Sequence, residues 1–193
     1  MRVVPLLLLV TTLVLAACKP STPIEAPVDQ PAAPAAEPAP AADAGNGMAI
    51  RETTAEMPTL AVDTIDGGRF DLTTHRGKWV VVNFWATWCA PCLKEMPELS
   101  ALDAMREDVQ VVGLAYEDIT PADMQAFLKE HPVVYPIAII DVMAPPADFA
   151  TPRGLPTTYL ISPEGKVAKA FAGPVTARDL EGMITPSPAR QGG

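Results

Sequence analysis

Val80-Val81-Val82-Asn83-Phe84-Trp85-Ala86-Thr87-Trp88-Cys89-Ala90-Pro91-Cys92 is the stretch on which the reading of this chain turns. Its first half is a nearly continuous apolar run of strand length, the pattern of a strand buried on both faces. Its second half ends in two cysteines, three positions apart, where a helix is expected to begin. Thiols at that spacing face the same way and can close a small disulfide ring. The first stands where unpaired backbone N–H groups and the positive end of the helix dipole favour a thiolate, the nucleophile of disulfide exchange. A structural zinc needs four ligands, and beyond Cys92 the chain offers no cysteine and only His131. The pair therefore reads as redox-active, with no metal site.

Outward from this stretch, strand and helix signals alternate. Leu60–Ile65 and Arg69–Leu72 flank Asp66-Gly67-Gly68, a hairpin signal. The helix after the cysteines carries Cys92, Leu93, Met96, Leu99, Leu102 and Met105 on one apolar stripe, with Pro97 inside it to kink or tighten the early turns. Val109–Ala115 is the next strand. Thr120-Pro121-Ala122-Asp123 supplies an N-cap, a proline at the first helical position and an acid at the third, and the helix they open stops by His131-Pro132. Ile137–Ile140, Thr157–Ile161 and Val167–Phe171 are strands, and Thr176 with Asp179 caps a short final helix. The order predicts an α/β domain, a central mixed sheet with helices on both faces.

The N-terminus explains the third cysteine. Arg2, the apolar run Val3–Val14 and Leu15-Ala16-Ala17-Cys18 read as a secretory signal with a small-residue cleavage site, the apolar run being short for a membrane span. Leu-Ala-Ala-Cys resembles the bacterial lipobox, which implies cleavage before Cys18 and its lipidation. Residues 19–47 hold seven prolines and nine alanines, the composition of an extended spacer. The predicted organisation is a lipoprotein signal at 1–17, anchor and linker at 18–56, one domain at 57–185 and a disordered tail at 186–193. Three cysteines then divide into one anchor and one reactive pair. The net charge of −9 argues against a nucleic-acid partner.

Val82-Asn83-Phe84-Trp85-Ala86-Thr87-Trp88-Cys89-Ala90-Pro91-Cys92, continuing through Glu95-Met96-Pro97-Glu98-Leu99, resembles the thioredoxin superfamily. More narrowly it is similar to the membrane-anchored TlpA/ResA/DsbE-type thiol-disulfide oxidoreductases. Gly154-Leu155-Pro156-Thr157-Thr158-Tyr159-Leu160-Ile161, with Pro163-Glu164-Gly165-Lys166 after it, is similar to that family's second hallmark. The resemblance implies a thioredoxin fold with an N-terminal β-hairpin and a helix–strand insert, supplied by Asp123–Glu130 and Ile137–Ile140.

It also implies roles. Cys89 is the attacking thiol and Cys92 the buried partner that resolves the mixed disulfide. Trp88, Ala90 and Pro91 shape the surface beside the pair. Pro156 is the cis-proline facing the cysteines, and Leu155 offers its backbone to an extended substrate segment. Glu117, just past the strand Val109–Ala115, is the candidate to carry protons to and from the buried thiol, with Asp118 its competitor. His75 and His131 receive no role. No cofactor is implied beyond the Cys89–Cys92 disulfide.

Between Asp141 and Gly154 the chain departs from its relatives, which carry an amphipathic helix there. Pro145-Pro146 and Pro152 forbid a regular helix. The segment borders the expected substrate groove, so a role in cytochrome c maturation, with apocytochrome c as partner, is not carried over residue by residue. The expectation is an exported, lipid-anchored, monomeric reductase of protein disulfides, recharged by an electron donor at the membrane. An oxidant or isomerase on the same fold is the first alternative. A thiol-based copper carrier is the second, disfavoured because carriers of this superfamily use a wider cysteine spacing and a later histidine.

Overall fold

The computed structural model describes residues 51–184. The predicted leader, the lipidation site Cys18, the Pro/Ala-rich stretch and the tail at 186–193 lie outside the described residues. Two short strands, β1 (Ala61–Asp63) and β2 (Arg69–Asp71), pair antiparallel around Asp66-Gly67-Gly68, and Gly67 takes the positive φ of 86° that this turn requires. The chain then makes a 3-10 turn over Leu72–His75 and enters β3 (Trp79–Trp85), all seven residues of which are buried.

Next come α1 (Ala90–Met105), β4 (Val109–Ala115), α2 (Pro121–Glu130), β5 (Ile137–Ile139), β6 (Thr157–Ile161), β7 (Val167–Ala172) and α3 (Ala177–Glu181). The caps are those the sequence predicts. The Thr120 hydroxyl accepts from the Asp123 N–H ahead of Pro121, and Thr176 and Asp179 form a reciprocal capping box. Pro97 lies within α1 on its exposed side, where the helix gives up one backbone bond without ending.

The main sheet has strand order β5-β4-β3-β6-β7. β3, β4 and β5 run parallel, while β6 and β7 are antiparallel additions on the other side. The two-residue periodicity of a strand sends Val81, Trp85, Val111 and Ala115 to one face and Val80, Val82, Phe84, Val112 and Leu114 to the other. The first face is covered by all three helices, through Cys92, Met96, Leu99 and Leu102 of α1, Met124 of α2 and Leu180 of α3.

The second face corrects the expectation of helices on both sides. It is closed by Leu60, Phe70 and Leu72 from the hairpin region and by Phe149 from the proline-bearing segment. Phe149 stands 5.9 Å from the Phe84 ring and 5.2 Å from that of Tyr159. With no backbone N–H at Pro145, Pro146 and Pro152 the segment cannot build a helix, and a single aromatic anchor takes over the covering role. Met105, predicted on the apolar stripe of α1, is the last residue of that helix and is 82% exposed.

The domain also begins earlier than Met57. Residues 51–56 lie along the segment that replaces the helix. Arg51 N–H donates to Thr151 Oγ1 (2.9 Å), Thr151 N–H to the Arg51 carbonyl (3.0 Å) and Ala55 N–H to the Asp148 carbonyl (2.8 Å). Composition hides this because two of these three bonds join backbone groups that any residue carries.

Candidate active site

Parallel pairing of β3 with β4 and antiparallel pairing with β6 bring three loops to one end of the sheet. β3 runs into Ala86-Thr87-Trp88-Cys89, β4 into Tyr116-Glu117-Asp118, and β6 begins immediately after Pro156. Phe84 is in register with Thr157, so Pro156 lies beside the end of the strand that leads to the cysteines. The Leu155–Pro156 peptide bond is cis.

Cys89 is the N-cap of α1 and is disulfide-bonded to Cys92, with Sγ–Sγ 2.05 Å and Cα–Cα 5.2 Å. Its sulfur accepts from the Cys92 N–H at 3.3 Å, so the helix N-terminus that would hold a thiolate is already directed at it. Cys89 retains 4% exposure and Cys92 none, so of the two residues only the first reaches the surface. Trp88, expected to pack beside the pair, stands out at 70% exposure, and Ala90 and Pro91 are exposed beside it. These three are the exposed apolar residues on either side of Cys89 in the chain.

Two acids must be distinguished. The carboxylate of Glu117, expected to reach the buried thiol, is half-buried and binds the loop ahead of it. It accepts from the Thr87 N–H at 2.6 Å and from the Thr87 hydroxyl at 2.9 Å, two residues before Cys89. Asp118 is exposed.

The buried acid is Glu95, which the sequence reading passed over. It follows Cys92 by three residues on α1, so their Cβ atoms are neighbours on one helix face, about 5–6 Å apart. Glu95 is 3% exposed. Its Oε1 accepts from Asn83 Nδ2 (2.7 Å) and its Oε2 from the Val175 N–H (2.9 Å), while Asn83 Nδ2 also reaches Thr158 Oγ1 (2.9 Å). Burial pushes the Glu95 carboxyl above the ordinary glutamate value of 4.5, against the pull of those two donors, and the nearby Glu98 charge adds to the rise. The signal was available: an acid at an i+3 position of an otherwise apolar stripe, opposite the one polar residue in the buried strand β3.

The arrangement defines a class: a thioredoxin-fold thiol-disulfide oxidoreductase, with a redox disulfide at a helix N-terminus, a cis-proline beside it and a buried carboxylate behind. The chain belongs to the AhpC/TSA family, whose pattern matches residues 53–170. It is similar to the thiol-disulfide oxidoreductase ResA of Bacillus cereus, 34% identical over 130 residues that cover 67% of this chain and 75% of the relative. ResA of Bacillus subtilis is 33% identical over 136 residues, covering 68% and 75%. Among solved structures, a thiol:disulfide interchange protein of the thioredoxin family from Chlorobium tepidum shares 26% identity at a TM-score of 0.56, over 71% of this chain and 97% of that one. A secreted thiol-disulfide isomerase from Corynebacterium glutamicum shares 25% at a TM-score of 0.57, over 67% and 83%.

Proposed function

We propose that the protein is an exported reductase of protein disulfides. The observation that carries this reading is the Cys89–Cys92 pair, with its residual exposure on Cys89 and a buried acid one helical turn behind Cys92. In the dithiol state the Cys89 thiolate attacks one sulfur of a substrate disulfide, and the other sulfur leaves as a thiolate. Cys92 gives its proton to Glu95 and attacks the Cys89 sulfur. The second substrate thiolate departs and the Cys89–Cys92 disulfide forms. Two electrons pass to the substrate, and a dithiol donor at the membrane restores the pair.

Export is supported by Arg2, the apolar run after it and Leu15-Ala16-Ala17-Cys18, with Cys18 as the lipid-anchored residue at the extracytoplasmic face of a bacterial membrane. No described helix is long and apolar enough to cross a membrane. Cytochrome c maturation is one process such a reductase serves, and loss of haem attachment in a deletion strain tests it.

The deciding experiment is the reduction potential of the Cys89/Cys92 couple, with its redox state in the cell. A reductase has a potential near the thioredoxin end of the range from about −270 to about −120 mV and is largely dithiol in vivo. A potential near the upper end, with the pair found oxidised, makes the protein an oxidant instead.

A further inference from the structure

Among the described residues β7 is the last strand of the sheet, and the way it pairs determines what its outer edge offers. Gly173 N–H donates to the Pro156 carbonyl at 2.9 Å, extending the register in which Thr158 faces Phe171 and Leu160 faces Lys169. Bonded pairs alternate with non-bonded ones in an antiparallel ladder. The backbone N–H and C=O groups of Ala170 and Ala172 therefore point away from β6, toward the open edge. Natural edges are commonly blunted by charge or proline. Here both positions are alanine, exposed and uncharged.

One part of this edge is already paired. Val167 N–H donates to the Glu56 carbonyl at 2.9 Å, so the edge takes an extended segment at its far end. Beside the remainder lies a groove of about 480 Å³, floored by Tyr159, Ala170 and Ala172 and walled by Pro152 and Leu155. Leu155 is the residue before the cis-proline, so this wall of the groove continues into the loop beside the strand that leads to the cysteines, while Glu52 and Arg153 add an exposed ion pair to the lining.

We propose that this groove and the free edge of β7 hold the substrate polypeptide on one side of its reactive cysteine, as an added extended strand. The proposal rests on the protein-disulfide reading above and deepens it. An extended chain meets the donors and acceptors of Ala170 and Ala172, and its alternate side chains lie beside those alanines on the face of the sheet that carries Tyr159. From β3 to a strand added outside β7 is three inter-strand spacings, about 14 Å, which an extended chain covers in about four residues. The substrate class is thus a cysteine flanked on one side by about seven residues free to extend, four to reach the edge and three to run along Ala170–Ala172, with uncharged side chains where they meet those alanines.

The test uses the full-length protein and two symmetric disulfides. One is the dimer of a fifteen-residue peptide of alternating Thr and Val with a central cysteine, which leaves about seven residues on each side. The other is the dimer of the same peptide cut to one residue on each side. Reduction by Cys89 releases one peptide thiol and leaves the other peptide in mixed disulfide on the enzyme. The expected result is a kcat/KM for the long dimer about tenfold above that for the short one, with the ratio collapsing toward one in Ala170→Glu. In the complex trapped by Cys92→Ser, the Ala170 and Ala172 amides gain protection from hydrogen exchange with the long peptide and not with the short one. Equal kcat/KM for the two dimers, or unprotected Ala170 and Ala172 amides in the long-peptide complex, overturns the groove. Failure to reduce either dimer overturns the underlying reductase reading instead.

Discussion

Glu95 and Val175 are joined by a 2.9 Å hydrogen bond from the Val175 backbone N–H to Oε2, which links the helix carrying both cysteines to the loop after β7. Two residues earlier in that loop, Gly173 N–H holds the Pro156 carbonyl. The protonation state of the buried acid is therefore connected, through one short stretch of backbone, to the proline that flanks the disulfide.

Glu95→Gln separates the ionisable group from its shape. Because the folded protein holds the Glu95 proton above the ordinary value of 4.5, it binds more protons than the unfolded chain in that window. The contribution of Glu95 to stability is then greatest below that value and falls as pH rises toward the raised pKa. Thermal unfolding across pH should show this decline in the native protein and its loss in Glu95→Gln. The same variant should lower the apparent pKa of the buried thiol, followed by alkylation rate, since an ionised carboxylate opposes a nearby thiolate.

Glu117→Ala should act differently. It strips the Thr87 N–H of its acceptor and loosens the loop before Cys89. Turnover should fall while the pH midpoint of thiol alkylation stays in place. A shift in that midpoint matching the one in Glu95→Gln would return Glu117 to the proton-carrying role its sequence position suggests.

For the thiols, Cys92→Ser should accumulate a mixed disulfide on Cys89 that is detectable by mass, because resolution needs the second sulfur. Cys89→Ser should give neither adduct nor reduction of insulin. An adduct on Cys92 in the Cys89→Ser protein would reverse the assigned order.

Gly113 tests the packing under the site. A Cβ there would come within 2.5 Å of Ile137 Cδ1, 3.0 Å of Trp85 Nε1 and 3.1 Å of Tyr135 Cε2. Gly113→Ala should destabilise the domain by about 1–3 kcal/mol, read from urea unfolding, as overpacking in a dense core does. A change within error would mean that Ile137 rotates away freely.

The strands, caps and thiol pair were legible because each rests on a local rule: an unbroken apolar run for β3, Thr-Pro-x-Asp for α2, a cysteine pair at a helix start. The cover of the second face was not, since proline marks where a helix fails without saying what packs in its place, and Phe149 is one residue with no period to betray it. Glu95 was hidden for another reason. Charge usually marks the solvated side of a helix, and only the strand opposite, with Asn83 among valines and aromatics, reveals that this acid faces inward. Glu117 attracted attention by lying at the correct end of β4, and chain position alone does not say which backbone group a carboxylate will find.

Residues 51–56 give the domain a handle at a particular place. The chain upstream of Arg51 is fastened through Thr151, three residues before Gly154, so a pull on it is felt first by the wall of the groove beside β7 and by Leu155. If that upstream chain is held at a surface, the groove lined by Thr151 is kept on the tethered side of the domain, within reach of chains fixed to the same surface.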